Sequence, residues 1–150
     1  MGIFDNLSEN NIKIPLVSTS KEDVLHELLA VLKANNLVTD EKVAFEAVLN
    51  RERQGSTGLG EEIAIPHAKT STVEKIELVI GLAPQGINFN SLDGKPVKIF
   101  FLILANPAYA SLHIEALSEV AKATRNKTFC QQLIDAKSSQ EILEAFKAAK

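Results

Sequence analysis

The sequence has a single cysteine, Cys130, so it can close no internal disulfide and build no thiolate metal cage. It has no excess of basic charge: 16 Lys and Arg face 19 Asp and Glu, for a formal net charge of −3. Bulk charge therefore offers no route to nucleic acid or to an anionic membrane. Long apolar runs are also missing. The longest, from Val97 to Ala105, is interrupted by Lys98 and suits a buried strand better than a bilayer span. The N-terminal MGIFDNLSENN has neither the basic segment nor the apolar segment of a secretory signal. Together these absences predict a cytoplasmic protein with no direct membrane insertion and no nucleic-acid partner. Motifs for bound groups are missing as well. There is no HExxH or paired-cysteine pattern, the glycine-rich loop lacks the Lys-Ser or Lys-Thr ending of a Walker loop, and GLGEEI is not a GxGxxG fingerprint. No GxSxG elbow supports serine hydrolysis. No cofactor and no metal are expected.

What is present suits one domain over residues 1–150, with 45% apolar residues to build a core. Ile12, Ile14 and Leu16 alternate as in a half-buried strand, and Pro15 argues for a sheet edge. Val24, Leu25, Leu28, Leu29 and Leu32 form a helical stripe within Lys21 to Asn35. A second helix, capped by Thr39 or Asp40 and running to about Arg53, is expected to turn Val43, Ala47 and Val48 inward. Strands follow at Glu61 to Pro66, Glu77 to Ala83 and Val97 to Ala105, with a shorter one at Ile87 to Leu92. The near-continuous apolarity of Val97 to Ala105 marks a central strand covered on both faces. Ser111 can cap a helix through about Arg125, and two more helices, near Lys127 to Ala136 and Gln140 to Ala149, end the chain. Helices and strands alternate, which predicts an α/β sandwich with a central mixed sheet flanked by helices on both faces.

The chemistry concentrates between Arg51 and Ala68, RERQGSTGLGEEIAIPHA. Gly55, Gly58 and Gly60 let the backbone turn and present N–H groups, which suits an anion, and Thr57 adds a hydroxyl or an amide. His67 follows Pro66 at a strand end and is the one side chain nearby that can act as a neutral nucleophile. This combination points to phosphoryl chemistry on His67. Of the two other histidines, His26 sits among charged neighbours in the first helix and has a surface role. His113, near a helix start, fits two roles equally: a packed core histidine, or a site residue whose ring donates to an anion. Arg51 and Arg53 lie in a last helical turn, where the macrodipole favours cations.

Glu52, Leu59-Gly60 and Ile63-Ala64-Ile65-Pro66-His67-Ala68 resemble the active-site signature of the type-2 enzyme IIA domains of the phosphoenolpyruvate-dependent sugar phosphotransferase system, the fructose and mannitol class. The resemblance extends to Lys21 to Leu32, to the Arg51-Glu52 pair, to Ser56-Thr57-Gly58, and to Leu112-His113 with Leu117. It implies a phosphocarrier that takes a phosphoryl group from HPr and passes it to a cysteine of enzyme IIB, which works with membrane enzyme IIC. Carried across, His67 is the phosphorylated residue, reacting through Nε2, with Arg51 and His113 as the matching site residues. Cys130 lies in FCQQL, outside any acceptor motif of that system. A nitrogen-related regulator, in which phosphorylation of the same histidine controls binding to transporters or kinases, fits the bare chain as well.

That role carries physical expectations. A backbone carbonyl should hold Nδ1–H of His67 and leave the Nε2 lone pair free. Arg51 should grip phosphoryl oxygens through its planar fork, with Thr57, Gly58 and Gly60 adding donors. An apolar rim of Leu59, Ala68 and Tyr109 should meet the partner proteins.

Overall fold

The computed structural model describes residues 3–5 and 7–149. Its centre is β6 (Val97–Ala105), the strand whose side chains are buried on both faces. On one edge β6 pairs antiparallel with β5 (Ile76–Ile87), and β5 pairs in parallel with the short edge strand β1 (Ile12–Lys13). On the other edge β6 pairs in parallel with β3 (Ile63–Ala64) and then with β4 (His67–Lys69). Strand β2 (Gly58–Gly60) closes that side as the antiparallel partner of β3. The six described strands thus form one mixed sheet.

Helices cover both faces, as the alternating pattern predicts. One core packs α1 (Lys21–Ala34) and α2 (Glu41–Arg53) against Val79, Phe100, Leu102 and Leu104. The other packs α3 (Ala110–Ala123), α4 (Lys127–Asp135) and α5 (Ser139–Ala148) against Ile80, Ile99, Phe101 and Ile103. Adjacent residues of β6 serve opposite cores, which is why its run reads as continuously apolar.

Several local expectations are corrected. The inward stripe of α2 is Ala44, Val48 and Glu52 at i, i+4 spacing, with Val43 exposed. Val48 is buried and Ala47 packs against the core as predicted, so only Val43 is overturned, and the stripe carries a carboxylate into the interior. Residues 77–83 and Ile87 belong to one 12-residue strand, and residues 88–92 form a loop. Ser111 caps nothing: α3 starts one residue earlier, after a 3-10 turn at Pro107–Tyr109 whose first N–H groups are served by Asn106. At the start of α5 the Ser138 hydroxyl accepts from Glu141 N–H, and the Glu141 carboxylate accepts from Lys137 N–H. Among the described residues no helix is long and apolar enough to cross a membrane.

The α1 face lies so close to β5 that no side chain fits at Gly81. A Cβ there would sit 2.7 Å from Leu28 Cδ2 and 2.8 Å from Leu16 Cδ1. Both leucines are fully buried and have nowhere to swing. Gly81→Ala is therefore expected to cost about 1–3 kcal/mol by overpacking. Thermal unfolding would register this as a loss of roughly 2–4 °C per kcal/mol.

Candidate active site

His67 is set by the edge of β6. It opens β4 opposite Ile103, and the Ile103 N–H donates to Pro66 O at 3.0 Å. One residue earlier the ladder changes partner, because Ile65 N–H donates to Thr57 O at 3.1 Å. This leaves the Ile65 carbonyl turned toward the histidine, and His67 Nδ1 lies 2.7 Å from it. A carbonyl only accepts, so Nδ1 carries the hydrogen and the lone pair resides on Nε2. The expected backbone carbonyl is thus that of Ile65.

His113 comes from the first turns of α3, across the end of the sheet. Its ring meets His67 edge to face, with centroids 5.4 Å apart and planes at 72°. It is only 5% exposed, and its buried Nε2 has no hydrogen-bond partner among the described residues. Its Nε2 is thus an unpaired buried polar atom on a ring that packs beside a second imidazole. Both rings are held below the ordinary imidazole range. For His67 burial is the main cause, opposed by the Ile65 hydrogen bond, reinforced by the charge of Arg51 and opposed again by Glu52. For His113 burial leads, with His67 and then Lys69 acting in the same direction.

Arg51 lies in the last turn of α2 and donates from Nη1 to Gly55 O at 2.8 Å, which fixes the guanidinium over the loop. The neighbouring Glu52 turns the opposite way. It is 4% exposed, and both its oxygens lie 3.0 Å from Thr57 N while Oε1 also accepts from the Thr57 hydroxyl.

The anion cradle expected of Thr57, Gly58 and Gly60 is corrected by this arrangement. Both Thr57 donors are directed at Glu52. Gly58 N–H donates to Ser56 Oγ at 3.0 Å. The glycines serve close packing on the loop after β5: a Cβ on Gly58 would lie 2.5 Å from Ser91 Oγ, and one on Gly60 3.1 Å from an Asp93 carboxylate oxygen. Gly60 also takes the left-handed φ of 95° that entry to the β2–β3 turn requires. A carboxylate beside Gly60 makes that point unsuited to a second anion.

The rim differs too. Leu59 is 49% exposed, but Ala68 is buried in the first core and Tyr109 is half-buried beneath Lys75 Nζ. Leu92, 81% exposed, and Ile114, 69% exposed, complete the apolar exposure on the loop beside β2 and on α3. Sequence patterns give no sign of either, because exposure of a lone apolar residue follows from the tertiary fold alone. Cys130 lies in the second core with its thiol 3.4 Å from Thr124 O, and burial pushes its pKa up. Among the described residues no group of His, Cys, Asp or Glu side chains is placed to hold a metal ion.

Comparison with known proteins agrees with this geometry. Residues 5–149 match the family model described as phosphoenolpyruvate-dependent sugar phosphotransferase system, EIIA 2. The fructose-specific EIIABC component of Bacillus subtilis is 38% identical over 144 residues, 96% of this chain and 23% of that longer protein. A nitrogen regulatory protein of Bradyrhizobium diazoefficiens is 35% identical over 143 residues, covering 95% of this chain and 92% of its own. The crystal structure of nitrogen regulatory protein IIA-Ntr from Neisseria meningitidis superposes with a TM-score of 0.87 at 27% identity, over 95% of this chain and 97% of that one.

The lowered histidine pKa values make acid stability a test of the site. Unfolded imidazole binds a proton near pH 6.5, and the folded His67 and His113 resist doing so. The stability they contribute is full above about pH 6.5 and is lost as pH falls toward their folded values. Melting temperature should therefore decline from about pH 7.5 to about pH 5. The decline should be shallower in His113→Gln, and an equal slope in the two proteins would contradict the buried-neutral assignment.

Proposed function

We propose, from the premise that the chain belongs to the phosphoenolpyruvate-dependent sugar phosphotransferase system EIIA 2 family, that it is a phosphocarrier working through His67. The donor is phosphorylated HPr. The acceptor is a cysteine of enzyme IIB, in a complex with membrane enzyme IIC. The observation that carries this reading is the 2.7 Å contact between His67 Nδ1 and the Ile65 carbonyl, which presents Nε2 as the nucleophile.

In the transfer, the Nε2 lone pair forms the new N–P bond as the donor's P–N bond breaks and its electron pair returns to the donor ring nitrogen. His67 keeps its Nδ1 proton throughout, and the positive charge that develops on the ring is stabilised by Ile65 O. The transition state is loose, so catalysis is positioning and charge stabilisation. Arg51 supplies the positive charge through its planar fork, and His113 Nε2–H donates to a phosphoryl oxygen, satisfying the atom that is otherwise orphaned. Passing the group to a cysteine reverses the step: sulfur attacks phosphorus, and the N–P electron pair returns to Nε2.

A second reading has its own support in the nitrogen regulatory relative, which matches over nearly all of both chains. There the phosphorylation state of His67 would control binding to transporters or kinases. The chemistry at His67 is the same, so the acceptor decides: transfer from the phosphoprotein to an enzyme IIB cysteine supports the fructose-type branch.

Incubation with phosphoenolpyruvate, enzyme I and HPr should add the mass of one phosphoryl group, labile to acid. His67→Ala should gain none, and an equal gain would remove His67 from the mechanism. Arg51→Ala should slow the transfer by about 10²–10³-fold, as for loss of one oxyanion-stabilising group. Arg51→Lys should recover only part of that rate, because an ammonium lacks the fork.

A further inference from the structure

Lys21 is the first residue of α1, where exposed N–H groups and the macrodipole disfavour a cation. The rest of that turn follows the rule, with Ser20 as cap and Glu22 and Asp23 as its acids. Lys21 breaks it. Its side chain is four-fifths buried, reaches across the Phe89 ring with Nζ 4.6 Å from the centroid, and stops 3.4 Å from Glu52 Oε2. The Glu52 side chain is itself 1% exposed. A buried ion pair of this kind is weak as a source of stability, because an apolar pair of similar volume folds as well. Its presence against local preference asks for a role beyond packing.

The contacts lead to the active site. Lys21 pairs with Glu52, Glu52 accepts from Thr57 N–H, Thr57 O accepts from Ile65 N–H, and Ile65 O accepts from His67 Nδ1–H. The polar line from α1 to the nucleophile is unbroken. Its charges also matter: a carboxylate buried this near His67 repels an incoming phosphoryl group unless a cation neutralises it.

We infer that Lys21 and Glu52 are a positioning pair for the phosphoryl-transfer site, Glu52 holding the Thr57 loop under His67 and Lys21 cancelling the charge that this requires. The inference rests on the phosphocarrier reading, and it adds two residues that touch neither phosphoryl group nor nucleophile.

Four variants test it: Lys21→Gln, Glu52→Gln, the double variant, and Lys21→Arg, each in the full chain. Three measurements are made on each: His67 ring pKa by NMR titration, phosphoryl occupancy at equilibrium with phosphorylated HPr, and melting temperature. Lys21→Gln leaves the carboxylate uncompensated, so the His67 pKa should rise and occupancy should fall by about tenfold, the scale of coupling between contacting residues. Glu52→Gln should lower the His67 pKa. The double variant should return pKa and occupancy to within about threefold of the parent, and Lys21→Arg, which keeps the charge, should behave as the parent does. If Lys21→Gln lowers only the melting temperature, with His67 pKa and occupancy unmoved, the pair is structural and the inference fails. A double variant no better than Lys21→Gln alone also overturns it. A parent chain that accepts no phosphoryl group would overturn the phosphocarrier reading instead, while the ring titration still decides on the pair.

Discussion

The register between the 63–69 segment and β6 is the constraint on which the site depends. Ile63 pairs with Ile99, Ala64 with Phe100, His67 with Ile103, Ala68 with Leu104 and Lys69 with Ala105. The offset never changes, so β3 and β4 are one extended segment laid along the buried central strand. A slip of one residue would turn His67 to the face occupied by Ala68. Because β6 is fixed by two cores at once, the segment is held rigidly. His67 therefore sits on a strand, with Ile65 on the same segment and Thr57 supplied by the loop before β2.

Arg51 and Glu52 are adjacent and opposite in effect. One lowers the His67 pKa by its positive charge, and the other raises it. A helix places successive side chains about 100° apart, so one chain end can present a cation to the loop while driving a carboxylate inward. The inward turn follows from the Ala44, Val48, Glu52 stripe, which makes Glu52 the polar end of an otherwise apolar face. Burial is the leading cause at both histidines and favours the neutral rings. Where groups are buried, a neighbouring charge counts for more than it would at the surface.

Much of the fold was legible in the sequence because its signals were periodic. The leucine stripe of α1 fixes that helix to within a residue, and the unbroken apolarity of Val97 to Ala105 marks the strand between two cores. The strand expected over residues 61–66 is shorter, Ile63–Ala64, and His67 opens the next strand, His67–Lys69, rather than closing the first. The failures have physical causes. Gly58, Gly60 and Thr57 suggest an anion loop from composition, yet composition cannot tell an N–H that faces solvent from one engaged by Ser56 or Glu52. Strand β2 escaped notice because three residues with two glycines carry no strand signal and owe their conformation to pairing with β3. The neighbourhood of His113 and His67 joins residues 46 positions apart, a contact that only the topology creates. The one overlooked local clue was Lys21, a cation at a helix start with no local reason to be there.

Relatives named for fructose transport and for nitrogen regulation match this chain at 38% and 35% identity over almost the same span. Such even similarity has a structural counterpart. The groups linked to His67, which are backbone groups of Thr57 and Ile65 with the side chains of Glu52 and His113, belong to buried residues. Leu59 on β2, Leu92 on the adjoining loop and Ile114 directly after His113 are by contrast exposed and apolar. Exposed side chains set the approach and discrimination of a transient partner, whereas buried ones set the reaction that follows. Under the phosphocarrier proposal, a choice between the two kinds of acceptor would fall to these exposed side chains rather than to the buried groups around His67.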